Sequence, residues 1–562
     1  MTPAGRRASE VLGLGLALLL VWLVLVPILL VAGEAPSGIA EFARRPGEWA
    51  ALWASLGISL ASVALAAAIG VPLAFLFERF EFPGRRILGS LVALPVVLPP
   101  LVGVVAFLFL YGESGFAARA VRWLLGLDGP PWRLQGPGAI LLVHAYSMYV
   151  YFYLFTRAGL ARLDASMIEA AHALGAGRWD TLRRVTLPLL RPSLAGAALL
   201  TFMTALGSFS APYVFGGGFR VMTTQIVASK LNGEMALAMA ETSALALVAL
   251  AGLWVLRRLE GDDLLVALGK GVAPARRALH RPVVAAAAGW LVALLLLLPH
   301  LTLVLVSLVP FGTWTTQALP PVLRLDNYAR LATEPERLVP LANSLWMATV
   351  STALAVALAL AAGWLAVRRR VAVRRLIEGL LALPWALPGT VFAIALATAF
   401  SVHQPPLRWV LVGTAVILPL AYLVRSLPVT GRAVLAGYRQ LDPALEEAAA
   451  SLGAGRWATL RRVTLPLLGP ALAAGASLAF VAALGDFVTS IVLYTYETRP
   501  ISIEILSALR LNEIGVAAAF GVVLMLASAL VLGLGTGRAG APGGLGATAG
   551  PGGTGGTGGT RR

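Results

Sequence analysis

The chain alternates long apolar runs with short basic segments. Twelve runs are long enough to be helical spans, near 11–33, 49–78, 87–111, 137–157, 189–212, 236–257, 283–309, 338–367, 376–400, 407–427, 467–493 and 514–535. A helix rises about 1.5 Å per residue, so roughly 20 apolar residues cross a hydrocarbon core about 30 Å thick. Runs such as VLGLGLALLLVWLVLVPILLV do not alternate polar with apolar positions, which excludes the strands of a membrane barrel. The pattern predicts an all-α, polytopic membrane protein with about 12 transmembrane helices. The first run follows Arg6 and Arg7 and is longer than the apolar region of a secretory signal, so it is read as a retained first span.

The polar segments orient these spans. With a cytoplasmic N-terminus, a large majority of the 44 Lys and Arg fall on the cytoplasmic side, including the blocks Arg157 to Arg191, Arg368 to Arg375 and Arg425 to Arg462. Both termini are then expected in the cytoplasm. The pattern also repeats. Ser55-Leu56 matches Ser344-Leu345, and ALPVVLP from Ala93 matches ALPWALP from Ala382, at one constant offset. LGAGRWDTLRRVTLPLL from Leu174 returns as LGAGRWATLRRVTLPLL from Leu452, differing only at Asp180 and Ala458, and Leu206-Gly207-x-Phe209 returns as Leu484-Gly485-x-Phe487. Two homologous halves are expected, 1–257 and 283–536, parallel because an even number of spans separates them, with a path at their interface. Residues 258–282 read as a cytoplasmic linker, and the Gly/Thr-rich segment 537–562 as a disordered tail.

Composition sharpens this reading. The chain is 58% hydrophobic and only 13% charged, with a mean hydropathy of +0.83. Its net charge of +17 sits in short arginine blocks between apolar runs, which marks topology and implies no nucleic-acid partner. Zero Cys excludes disulfides, thiol catalysis and thiolate metal sites. Five scattered His give no metal-ligand spacing, and no convergent catalytic set is visible. Gly269-Lys270 is followed by Gly and does not complete a phosphate-binding loop. The chain is therefore expected to be no enzyme and to hold no cofactor or metal itself.

The duplicated polar stretch reads locally as helix, turn and helix. Asp164 and Asp442 stand at N-cap positions, and Pro443 follows at the first helical position. Gly175 and Gly453 break the helix, and a second, basic helix runs through Arg183-Arg184 or Arg461-Arg462 to stop before Pro188 or Pro466. Positive charge alone would anchor topology, but anchoring does not require the same GAGRW spacing twice.

These residues resemble a known signature. Glu169-Ala170-Ala171, Gly175 and Leu187-Pro188, and again Glu447-Ala448-Ala449, Gly453 and Leu465-Pro466, are similar to the EAA loop of binding-protein-dependent ABC importer permeases. The resemblance implies that each loop is a coupling helix docking on one of two copies of a cytoplasmic ABC ATPase, which binds ATP and Mg. It also implies an extracytoplasmic substrate-binding protein and a place in the bacterial inner membrane. The fused length, LPVVLPPLVGVVAFLFLYG and SFSAPYVFGGGFRVMTTQI are similar to ferric-iron permeases; thiamine, 2-aminoethylphosphonate, polyamine and sulfate permeases share this architecture. A gradient-driven transporter would instead need more ionisable residues deep in its spans.

Within the spans, Asp486 is read as a structural ion pair or as a residue lining the path, with Ser208 at its position in the first half. His144 is a further path candidate, among Tyr146, Tyr149, Tyr151 and Tyr153, which read mostly as interfacial aromatics. Glu241 and His300, near span ends, are expected to be solvated. The paired prolines Pro95/Pro99 and Pro384/Pro388 are expected to kink their helices.

Overall fold

A computed structural model describes residues 3–260, 277–278, 282–314, 317, 319–401 and 409–539. The first half contains α1 (Gly5–Glu34), α2 (Pro46–Arg79), α3 (Pro100–Tyr111), α4 (Gly136–Ala161), α5 (Ala165–Ala173), α6 (Arg191–Leu206), α7 (Met222–Leu231) and α8 (Met235–Glu260). The second repeats the plan with α9 (Pro282–Ser307), α10 (Pro335–Gly363), α11 (Gly389–Ala399), α12 (Ile417–Gln440), α13 (Pro443–Ser451), α14 (Leu465–Leu484), α15 (Ile501–Arg510) and α16 (Ile514–Ala539). The described residues add a two-residue parallel bridge of Phe80–Glu81 with Arg277–Ala278. Apart from 258–260, 277–278, 282 and 537–539, the expected linker and tail lie outside the described residues.

The fold is helical and polytopic, as expected. Among the described residues nine helices are long and apolar enough to cross a membrane, or up to eleven if each of two bent pairs is one span. The expected tenth span, near 407–427, begins only at Ile417 and continues to Gln440, taking in Arg425, Arg432 and Arg439. Its apolar approach, residues 409–416, is not helical, so hydropathy placed the span too early. The third and ninth spans break at the duplicated prolines. Short 3-10 turns, Leu94–Val97 and Leu383–Ala386, lead to Pro99 and Pro388 in extended conformation, and α3 and α11 start afresh. In the second half this bends the path of the chain by 112°.

Small residues set the main packing of each half. Along α2, Ser55, Ser59, Ser62, Ala66, Gly70 and Ala74 form a buried stripe at helical spacing, and α4 packs on α2. A Cβ at Gly70 would stand 2.4 Å from the Tyr149 carbonyl oxygen. In the second half α10 packs on α12 in the same way, and a Cβ at Gly363 would stand 2.4 Å from the Tyr438 ring. Ser55 and Ser344 also have a common task. The Ser55 Oγ accepts the Met222 N–H at 2.7 Å and the Ser344 Oγ accepts the Ile501 N–H at 2.8 Å, so each serine satisfies the first amide of α7 or α15.

The halves exchange their first spans. α1 packs on α8 of its own half and on α11 of the other, while α9 packs on α16 and on α3. The interface is therefore built twice, by equivalent elements.

Candidate functional site

The two copies of the duplicated loop have the same backbone. The Asp164 carboxylate accepts the Ser166 N–H at 3.0 Å to cap α5, and the Asp442 carboxylate accepts the Ala444 N–H at 2.9 Å to cap α13. Each helix ends the same way. Gly175 donates to the His172 carbonyl and Ala176 to that of Ala171; Gly453 and Ala454 donate to Ala450 and Ala449. This paired closure needs a left-handed residue, and the glycines supply it with φ of 81° and 83°. The expected helix stop before Pro188 and Pro466 is corrected. π-turns, Leu182–Thr186 and Leu460–Thr464, precede the prolines and shift the hydrogen-bond register, so the helix passes through them. In the second copy one helix runs from Arg456 to Leu484, whereas the first bends by 64° between Leu189 and Arg191.

Neither α5 nor α13 buries a single side chain. Leu174 and Leu452 are 89% and 90% exposed, and Trp179 and Trp457 also face outward. Large apolar side chains left exposed on a capped helix end mark a surface for contact with a protein or a membrane. Glu169 and Glu447, Ala170 and Ala448, and Ala171 and Ala449 lie on these helices, while Leu187-Pro188 and Leu465-Pro466 enter the following spans. The inner sides of the loops differ. Glu446 accepts the Thr464 hydroxyl at 2.8 Å and pairs with Arg368 at 3.2 Å at the base of α10, whereas the first loop has Ile168 there. Sequence reading passed over Leu174, Trp179 and their copies, although apolar residues repeated within a basic stretch were the available signal.

The halves meet at the duplicated Leu-Gly-x-Phe segments. A Cβ at Gly207 would lie 3.4 Å from Pro388 of the other half, and one at Gly485 would lie 2.7 Å from Pro99. The Phe209 and Phe487 rings stand 5.5 Å apart, and Tyr213 stacks on Phe209 at 5.2 Å. The short helices Ser210–Phe215 and Val488–Leu493 follow. Equivalent residues touching each other mark the pseudo-twofold axis.

Asp486 sits in this interface, buried, with one oxygen 2.5 Å from the Arg425 guanidinium. It also accepts the Thr489 N–H at 2.8 Å, capping Val488–Leu493. Its geometry is that of a structural ion pair, whose partner Arg425 was missed although it stands alone in an apolar run. Ser208 and His144 are brought together: His144 bonds Ser208 at 2.9 Å and Ser62 at 2.8 Å through its two ring nitrogens. Tyr149 and Tyr153 are not interfacial; both are buried and donate to the carbonyls of Val92 and Gly89. Glu241 and His300 are likewise buried instead of solvated, because α7 and α4 cover them: Glu241 accepts the Ser229 hydroxyl at 2.8 Å and His300 lies 3.3 Å from the Tyr146 hydroxyl.

Comparison with known proteins decides the family. The profile described as "Binding-protein-dependent transport system inner membrane component" matches residues 69–261 and 353–536, once in each half. The chain belongs to that family. A probable ABC transporter permease protein of Sinorhizobium fredii is 33% identical over 474 residues, 83% of each chain. A ferric transport system permease protein of Actinobacillus pleuropneumoniae is 28% identical over 448 residues, 77% of this chain and 63% of that one. A molybdenum transport system permease protein of Escherichia coli K12 is 36% identical over 172 residues, 30% of this chain and 72% of its own. This ABC importer permease is thus a multi-pass membrane subunit that is not itself catalytic, and its family works with an ATPase and a binding protein.

Proposed function

We propose that this permease imports ferric iron, driven by two copies of one cytoplasmic ATPase docked on α5 and α13. The observation that carries the docking is the pair of identical, fully presented loop ends at Leu174 and Leu452, each set by a left-handed glycine. In this reading halves 1–257 and 283–536 are joined by a cytoplasmic linker at 258–282, and the loops and both termini face the cytoplasm. ATP binding closes the ATPase pair and draws the loops together. The halves then rock about the contacts of Gly207 with Pro388 and of Gly485 with Pro99, exposing the axial path to one side and then the other.

Iron as cargo rests on likeness to the ferric permease over 77% of this chain. A second reading, import of an oxyanion by the same mechanism, is favoured by the shorter but closer match to the molybdenum permease. Thiamine, 2-aminoethylphosphonate and polyamines share the importer class and are further outcomes of the same test. Uptake of labelled iron and of labelled molybdate is compared in cells with and without the permease. Iron uptake lost on deletion and restored by the wild-type chain supports the first reading; iron uptake indifferent to deletion sinks it.

A further inference from the structure

The interface carries two cations that the coupling mechanism does not use. Lys230, in the last turn of α7, donates to the backbone carbonyl of Val492 in the other half. Arg510, the last residue of α15, donates to the Tyr213 hydroxyl in the first half, with its guanidinium carbon 5.9 Å from that ring's centroid. Because α7 and α15 are equivalent elements, each half throws one cation across the axis onto the short helix behind Phe209 or Phe487. This occurs on the side away from the loops, since α6 and α14 rise from the loops and the chain turns back only at α8 and α16.

Both acceptors are neutral. A carbonyl or hydroxyl satisfies a donor's geometry but leaves its charge uncompensated. Several carboxylates on the same side are paired with arginines. Glu234 pairs with Arg45 at 3.0 Å, Glu513 with Arg330 and Arg337 at 2.9 and 2.6 Å, and Glu504 with Arg499 at 3.3 Å. Glu48 and Glu241 bond the neutral Gln225 amide and Ser229 hydroxyl where α7 meets α2 and α8. Arg425, deeper in the interface, is balanced by Asp486. Among the described residues neither Lys230 nor Arg510 is in an ion pair, so the two donors that cross the axis carry charge with no direct counterion.

We propose that this end of the path receives its cargo as an anion whose oxygen atoms engage Lys230 and Arg510. The cargo is a free oxyanion or ferric iron enclosed by anionic oxygen ligands. The inference rests on the importer reading and names the charge class that the cargo presents.

The test uses the whole chain with its own ATPase and binding protein in cells, and three probes: labelled sulfate, labelled molybdate and labelled ferric citrate. For whichever probe the wild type takes up, Lys230→Gln/Arg510→Gln lowers uptake at limiting concentration by about tenfold or more, and the deficit narrows as salt rises. Lys230→Arg/Arg510→Lys keeps most of the uptake, which separates charge from packing. Uptake of sulfate or molybdate identifies a free oxyanion; uptake of ferric citrate alone identifies the ligand shell. Uptake by Lys230→Gln/Arg510→Gln equal to or above wild type overturns the inference, as does wild-type uptake of none of the three. ATPase co-purifying with the wild-type chain is measured in parallel. If ATPase is bound but charge is irrelevant, only this inference fails; if none binds, the importer reading beneath it fails.

Discussion

Gly485 and Pro99, one from each half, pack so closely that a Cβ at position 485 would stand 2.7 Å from the Pro99 Cβ. Gly207 faces Pro388 in the equivalent place, so a glycine of each half meets the broken span of the other. Gly485→Val therefore pushes the halves apart. The expected loss is about 1–3 kcal/mol from overpacking, read as a lower unfolding midpoint in detergent. Gly469→Ala, with nothing within 4 Å of the new atom, is the matched control and should leave the midpoint in place.

Substituting the loop glycines separates folding from coupling. Gly175 and Gly453 have φ of 81° and 83° but open space around them, so Gly175→Val/Gly453→Val meets backbone strain without a clash. The strain is about 1–2 kcal/mol at each site and sits in the exposed loops. The spans should remain folded while ATP hydrolysis is uncoupled from uptake or the ATPase is released. Gly177→Ala, at an ordinary φ of −67°, should couple normally. Unchanged uptake by the double valine variant would sink the coupling assignment.

Asp486→Asn leaves the Arg425 guanidinium without its countercharge while keeping an acceptor for the Thr489 amide. The expected destabilisation is about 1.5–3 kcal/mol. Arg425→Met combined with Asp486→Asn should recover part of it, because the second change removes the orphaned charge. Thermal midpoints of the two single variants and the double close the cycle. Strict additivity would show that the pair is not coupled, and a transport defect with normal stability would move Asp486 from a structural role to the path.

The pairs on the far side give a pH dependence of defined sign. The hydrogen bond from Arg45 holds Glu234 below its ordinary value of 4.5. A depressed carboxylate contributes stability that is fully present above the unfolded value and is lost as pH falls through the folded one. The wild type should therefore be more stable than Glu234→Gln at pH 7, with the gap shrinking only below about pH 4.5. A gap that instead grows on acidification contradicts the pairing.

What was legible in the sequence is what local chemistry determines. Asp164 and Asp442 as caps and Gly175 and Gly453 as helix breakers follow from residues within one turn, and the structure has them all. Ser55 and Ser344 were visible as a repeat, yet their partners, the Met222 and Ile501 amides, lie 167 and 157 residues away, beyond any local pattern. Hydropathy misplaced the tenth span because a window average cannot register that Arg425 has an Asp486 waiting for it. The same blindness put Glu241 and His300 in solvent, since burial by α7 and α4 is a tertiary fact.

The central claim is that the duplicated loops join this permease to its motor. The most direct measurement is the stoichiometry, by mass spectrometry, of ATPase co-purifying with the chain from native membranes, for the wild type and for Leu174→Asp/Leu452→Asp, which places charge on the two exposed loop ends. The account predicts two ATPase copies per wild-type chain and loss of both from the variant, with the permease still extracted as a folded protein. ATPase retained at full stoichiometry by that variant, or absent from the wild type under conditions that preserve other complexes of this class, would contradict it.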